Sequence, residues 1–182
     1  MIINLPATYS DITLDQYKRF NASTSDLERI SIMADISIEE AKKIPLNELN
    51  DLIDIIKLTL EDERAKFFQT IIVDKTEFGF IPNLYSMSLG EYVDLVEFCK
   101  DPKKNIVSIM AILYRPITKR VGSKYQIAKY DSNERGLNEE LIKKVTLDKF
   151  NGAMLFFSTL TADLTKTSLE FLSSEIALMM ES

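Results

Sequence analysis

The chain has no histidine and no tryptophan, and only one cysteine, five glycines and five prolines in 182 residues. Without histidine it lacks the commonest general base, the commonest proton shuttle and the commonest transition-metal ligand. A single thiol, Cys99, closes no intramolecular disulfide and builds no multi-cysteine zinc site. With no imidazole to activate it, Cys99 reads as a small buried hydrophobe rather than a nucleophile. The glycines, at 79, 90, 122, 136 and 152, never cluster. Neither glycine-rich nucleotide fingerprint is therefore present. No apolar run reaches the roughly 18 residues of a membrane span. The longest candidate, Ile106 to Tyr114, is interrupted by Ser108 and closed by Pro116. Met1-Ile2-Ile3-Asn4-Leu5-Pro6 has no basic start, so no signal peptide is expected. The inventory points away from an enzyme: no catalytic residue, cofactor or metal ligand is expected.

What is present is ordinary for a folded protein: 46% hydrophobic and 27% charged residues. Helix-start chemistry recurs. Thr13-Leu14-Asp15-Gln16, Ser25-Asp26-Leu27-Glu28, Ser37-Ile38-Glu39-Glu40 and Ser88-Leu89-Gly90-Glu91 all have the spacing of a capping box. Leu46, Leu49, Leu52, Ile53, Ile56 and Leu60 mark one face of a helix over about 46–62, opposite Glu48, Asp51, Asp54 and Lys57. Phe67 to Val73 is aromatic and β-branched, and Thr76 to Ile81 returns after Asp74-Lys75, which predicts a hairpin. Leu89, Tyr92, Val93, Val96 and Cys99 share one face of the next helix, read as its packed side. Pro102 opens a further helix, apolar on several sides and expected to be buried, with a stop at Arg115-Pro116. Residues 117–131 read as irregular with a strand near 124–130, and 131–138 as a polar loop. Helices are expected from Thr146-Leu147-Asp148 and over 164–180.

The expected fold is mainly α with a small antiparallel β element, an α+β class. Residues 1–66 form a helical array and 67–182 a helical domain with hairpin and basic loop; one continuous domain is the other arrangement. Asp11-Ile12-Thr13-Leu14-Asp15-Gln16-Tyr17 echoes Ser86-Met87-Ser88-Leu89-Gly90-Glu91-Tyr92. A hydrophobic staple with a capping box produces such a string by itself, and this is favoured over duplication.

Charge is uneven. Between Lys100 and Lys129 eight basic residues face one acidic residue, a net +7 that leaves −13 for the rest of a chain totalling −6. Lys103, Lys104, Arg115, Lys119, Arg120 and Lys124 are the candidate partner-binding residues of this segment. Three readings stand, in this order: a solvated loop balancing acidic helices, a site for an acidic protein partner, and a nucleic-acid contact. A dedicated nucleic-acid binder is usually basic overall. Arg115 is expected to satisfy a helix end or to pair with Glu91 or Asp94. The carboxylate groups Glu39-Glu40, Asp51-Asp54, Asp94-Glu97 and Glu139-Glu140 read as solvated helix faces rather than a metal site.

The strings Phe-Gly-Phe-Ile-Pro-Asn-Leu at 78–84, Ser-Leu-Gly-Glu-Tyr-Val-Asp-Leu at 88–95 and Met-Ala-Ile-Leu-Tyr-Arg-Pro-Ile at 110–117 resemble an uncharacterised family of tailed bacteriophages, including crAss-like and related phages. Gly90, Glu91, Tyr92, Asp94, Tyr114, Arg115 and Pro116 carry the likeness, which covers about 67–160. The resemblance implies a non-enzymatic virion or assembly protein that contacts capsid, portal or tail subunits. Its place would be the virion, or the host cytoplasm during assembly. Partners would be other phage structural proteins, with homo-oligomers among the candidates. A tail assembly chaperone absent from the mature particle is the alternative, and a carboxylate-only metal enzyme a distant third.

Overall fold

The structure is a computed structural model that describes residues 3–61, 66–83, 87–133 and 135–158. It is mainly helical with one four-stranded antiparallel sheet, the expected α+β class. The helix expected over 164–180 lies outside the described residues.

Three of the four capping boxes form in full. Thr13 opens α1 (Leu14–Ala22) and exchanges bonds with Gln16; Ser37 and Glu40 do the same at α3 (Ile38–Ala41). The third is Ser88 at α5 (Leu89–Cys99). At α2 (Asp26–Ala34) Ser25 caps the Glu28 N–H, but the Glu28 carboxylate turns to the Ser23 hydroxyl instead, 2.6 Å away. A 3-10 turn, Leu46–Glu48, leads into α4 (Leu49–Glu61). Leu46 is not part of its packed face: it is almost wholly exposed, because the 3-10 turn twists it away from Ile56 and Thr59.

The sheet runs β1 (Thr70–Val73), β2 (Thr76–Phe80), β3 (Tyr114–Val121) and β4 (Lys124–Ile127), in that order. Asp74 and Lys75 both take positive φ, 47° and 68°, the pattern of a type I′ turn, which matches the twist of the strands it joins. At the β3–β4 turn Gly122 alone is at φ 60°, as a type II′ turn requires. The helix ahead of β3 does stop just before Arg115-Pro116, but no irregular stretch follows. The chain passes from α6 (Pro102–Leu113) straight into β3, and Pro116 pairs with Phe78. The Pro116 carbonyl accepts the Ala128 N–H at 2.8 Å. Nitrogen and carbonyl of a strand residue point the same way, so the missing N–H faces the end of β4 rather than β2, where a proline is tolerated. The stretch read as irregular is thus a β-hairpin with a bulge between Ile117 and Lys119.

The expected polar loop is also shorter, since α7 (Arg135–Ile142) occupies its second half. The last described helix, α8, covers 147–158.

Helix α6 is the centre of the molecule. Ile106, Val107 and every residue from Ile109 to Leu113 are buried, and α6 packs against α1, α5 and α7. One core draws on both sides of residue 66, from Ile12, Leu14, Ile30 and Ile56 to Phe78, Leu95 and Phe150. Phe67 stacks on Phe156 at 4.0 Å and meets Phe80 edge-on at 5.1 Å. Gly152 permits this closure: a Cβ there would stand 2.0 Å from the Lys66 carbonyl oxygen.

Candidate interaction surfaces

Of the residues that carry the phage resemblance, three are buried (Glu91, Tyr114 and Arg115), Asp94 and Pro116 are half-buried, and Gly90 and Tyr92 are exposed. Arg115, at the start of β3, is 7% exposed and pairs with Glu91, Nη2 to Oε1 at 2.7 Å. Among the described residues, Arg115 Nε and Glu91 Oε1 have no hydrogen bond beyond this charge contact. Burial lowers the Arg115 pKa and the Glu91 charge raises it back in part. The other Glu91 oxygen accepts the Ser88 N–H at 2.8 Å. A single carboxylate thus closes the capping box of α5 and neutralises the guanidinium beneath it. Of the two carboxylates expected for Arg115, Glu91 is the partner; Asp94 instead accepts the Tyr130 hydroxyl and lies 3.4 Å from Arg135. Arg135 also reaches Glu139 and covers the Phe98 ring at 4.8 Å. Burial pushes the Tyr130 phenol up, helped by its bond to Asp94. The Tyr114 hydroxyl donates to the Phe68 carbonyl.

These contacts set the roll of α5 about its own axis, and the outcome reverses the sequence expectation. Glu91 and Leu95 face inward. Leu89 is 78% exposed, Tyr92 56%, Val93 55% and Val96 45%. The apolar stripe read as the packed side is the outer side; only Cys99, half-buried with its thiol pKa raised by burial, lies at the edge of the core. The physical reason is that Glu91 sits across the helix from the stripe and can satisfy Arg115 only by facing in. An unpaired buried Arg115 would cost several kcal/mol, of order 3–5. The four exposed apolar side chains forgo a comparable sum, at about 1.5–3 kcal/mol for each if fully buried, so the ion pair sets the roll together with the burial of Leu95 and the contact of Asp94 with Arg135. Periodicity counts apolar residues and is blind to this.

The candidate basic residues do not form one patch. Lys119, Arg120 and Lys124 gather on the β3–β4 hairpin, where Lys119 and Lys124 are exposed beside Val121, itself 68% exposed. Arg120 pairs with Glu77 and lies 5.7 Å over the Tyr125 ring. That ring covers Gly79, where a Cβ would come within 2.3 Å of it, and its hydroxyl reaches the Phe80 carbonyl at 2.8 Å. Lys103 and Lys104 are in the first turn of α6, the opposite end of that helix from β3, and are exposed. Arg115 is buried and belongs to the interior.

Between the hairpin and the start of α5 runs an open groove of about 730 Å³, lined by Ile81, Pro82, Ser88, Glu91, Arg115 and Tyr125 among others. Its two buried charges are opposite and in contact, which leaves Lys129 as the net charge on its wall. Among the described residues no three acidic or cysteine side chains converge as a metal site would need. No described helix is long and apolar enough to cross a membrane. No protein-family model, curated protein or solved structure matches this chain.

Proposed function

We propose that this chain is a non-enzymatic structural or assembly protein that works through contacts made by its exterior. The observation that carries the reading is the apolar stripe Leu89, Tyr92, Val93 and Val96, displayed on α5 while Glu91 is held beneath it. A contiguous exposed apolar patch on a folded domain marks a contact surface more often than chance. The hairpin cations Lys119 and Lys124 add a second contact, suited to an acidic protein surface. The resemblance of 78–84, 88–95 and 110–117 to the tailed-phage family supplies the setting: a particle or its assembly line, with capsid, portal or tail subunits as partners. The second reading, an assembly chaperone, is favoured by the net charge of −6, which would keep a chain with such a stripe soluble while it shields an apolar partner.

Quantitative mass spectrometry of gradient-purified particles from a phage encoding the chain tests both. Fixed copy number per particle supports the structural reading. Abundance in infected cells with absence from particles selects the chaperone. Absence of any co-purifying particle protein at either stage rejects both.

A further inference from the structure

Three strings in this chain share one design: a hydrophobe, a hydroxyl cap, leucine, two residues and an aromatic ring. They are Ile12-Thr13-Leu14-Asp15-Gln16-Tyr17, Met87-Ser88-Leu89-Gly90-Glu91-Tyr92 and Val145-Thr146-Leu147-Asp148-Lys149-Phe150. Each opens a helix, α1, α5 and α8.

The first and third are paired with each other. Thr13 and Thr146 form an antiparallel bridge. The Leu14 N–H donates to the Val145 carbonyl and the Leu147 N–H to the Ile12 carbonyl, both at 2.8 Å. Each string gives one donor and one acceptor, so the pairing is a local two-fold between the two threonines. It occupies an N–H that a helix start otherwise leaves without a partner. It also buries Ile12, Leu14, Val145, Leu147 and Phe150.

The second string has no such mate among the described residues. Among the described residues nothing bonds the Leu89 N–H or the Met87 carbonyl, and Leu89 and Tyr92 stand in solvent where their counterparts are buried or half-buried. We propose that the mate is the same string of a second copy, paired about a two-fold axis through Ser88, with the Leu89 N–H of each copy donating to the Met87 carbonyl of the other. This rests on the reading of α5 as a contact surface and names its partner.

A two-fold contact must be complementary to itself, and this one is. Each string offers one donor and one acceptor at matching positions. The charges that accompany it are compensated within each copy: Glu91 by Arg115, and Glu97 by Lys100 at 2.5 Å. Two copies of a −6 chain therefore meet there without facing bare like charges. Gly90 leaves room for the approach, since a Cβ on it would meet nothing nearer than the Ser88 hydroxyl at 4.0 Å.

Directly opposed residues in a bridge of this kind have Cα atoms about 4.5 Å apart, within disulfide reach. The test is Ser88→Cys in a Cys99→Ser background, with Ser123→Cys on the hairpin turn as control. Under mild oxidation the Ser88→Cys chain is expected to run as a covalent dimer at least ten-fold more than the control. Equal cross-linking of the two overturns the proposal. Because Ser88→Cys removes a helix cap, sedimentation of Leu89→Asp is the second arm. The unmodified chain should show a concentration-dependent monomer–dimer equilibrium that Leu89→Asp shifts to monomer, with the two melting alike at concentrations where both are monomers. A chain that stays monomeric throughout overturns the self-pairing. If it still binds a particle protein in a Leu89-dependent way, only the self-pairing falls. If it binds none, the contact-surface reading falls with it.

Discussion

Helices α5 and α6 are neighbours in sequence, joined by the break at Asp101-Pro102, and both are rich in apolar residues. They end in opposite situations. From Ile109 to Leu113 no side chain of α6 meets solvent, whereas α5 buries a glutamate and one leucine and turns four apolar residues outward. The difference lies in the polar residues. In α6 the charged positions, Lys103 and Lys104, fall in the first turn with Asn105, and beyond it Ser108 is the one polar residue, leaving the rest free to sink. In α5 the polar residue that matters most, Glu91, lies opposite the stripe, and Arg115 on β3 waits for it. One buried charge helps decide which face of a helix the core receives.

The contrast breaks most visibly at Arg115. Arg115→Ala leaves Glu91 buried and uncompensated, at a cost of about 3–5 kcal/mol. For a chain of this length that is a fall of roughly 6–20 °C in melting temperature, readable by calorimetry. The double variant Glu91→Gln/Arg115→Met keeps an acceptor for the Ser88 N–H while removing both charges, and should recover most of the loss. If the single variant melts like the parent, Arg115 does not hold α5 in place and the comparison fails.

Next in size is Ile109→Ala, in the buried turn of α6. Deleting a packed isoleucine to alanine should cost about 2–5 kcal/mol by denaturant unfolding, with the slope against denaturant unchanged. A value under about 1 kcal/mol would mean that α6 is not the centre of the core.

How much of this was legible in the chain follows from the range of each interaction. The caps at Thr13, Ser25, Ser37 and Ser88 and the turn at Asp74-Lys75 involve residues at most three apart, so the string carries them. The buried α6 was legible because a helix apolar on several sides has nowhere else to go. Three features were not. Pro116 marked the end of α6 but hid the strand that follows it, because the tolerance for a proline there depends on where β4 ends. Arg135 disfavours a helix start on its own dipole, yet Asp94, Glu139 and the Phe98 ring hold it there, two of the three from α5. The outward stripe required knowing that Arg115 lies under Glu91, 24 positions away. The candidate partner-binding cations were legible as a charge count but not as a surface. Lys119 and Lys124 share a hairpin, Lys103 and Lys104 sit at the far end of α6, and Arg115 is interior.

The smallest expected effect is the most discriminating. Leu89→Ser and Tyr92→Ser remove large apolar side chains from a helix, and a reading from periodicity alone would assign each a core-sized loss of several kcal/mol, as for Ile109→Ala. Both side chains stand in solvent, so each substitution should change unfolding free energy by no more than about 0.5 kcal/mol. Serine removes the exposed apolar group and keeps the helix start, since Ser88 and Glu91 are untouched. The measurement belongs at low protein concentration, because any self-association through the stripe would add to the apparent stability of the parent alone. Under that condition a loss above about 2 kcal/mol in either variant would place the stripe in the core. The roll of α5 would then be set by its apolar stripe after all, not by the ion pair and the contacts that accompany it.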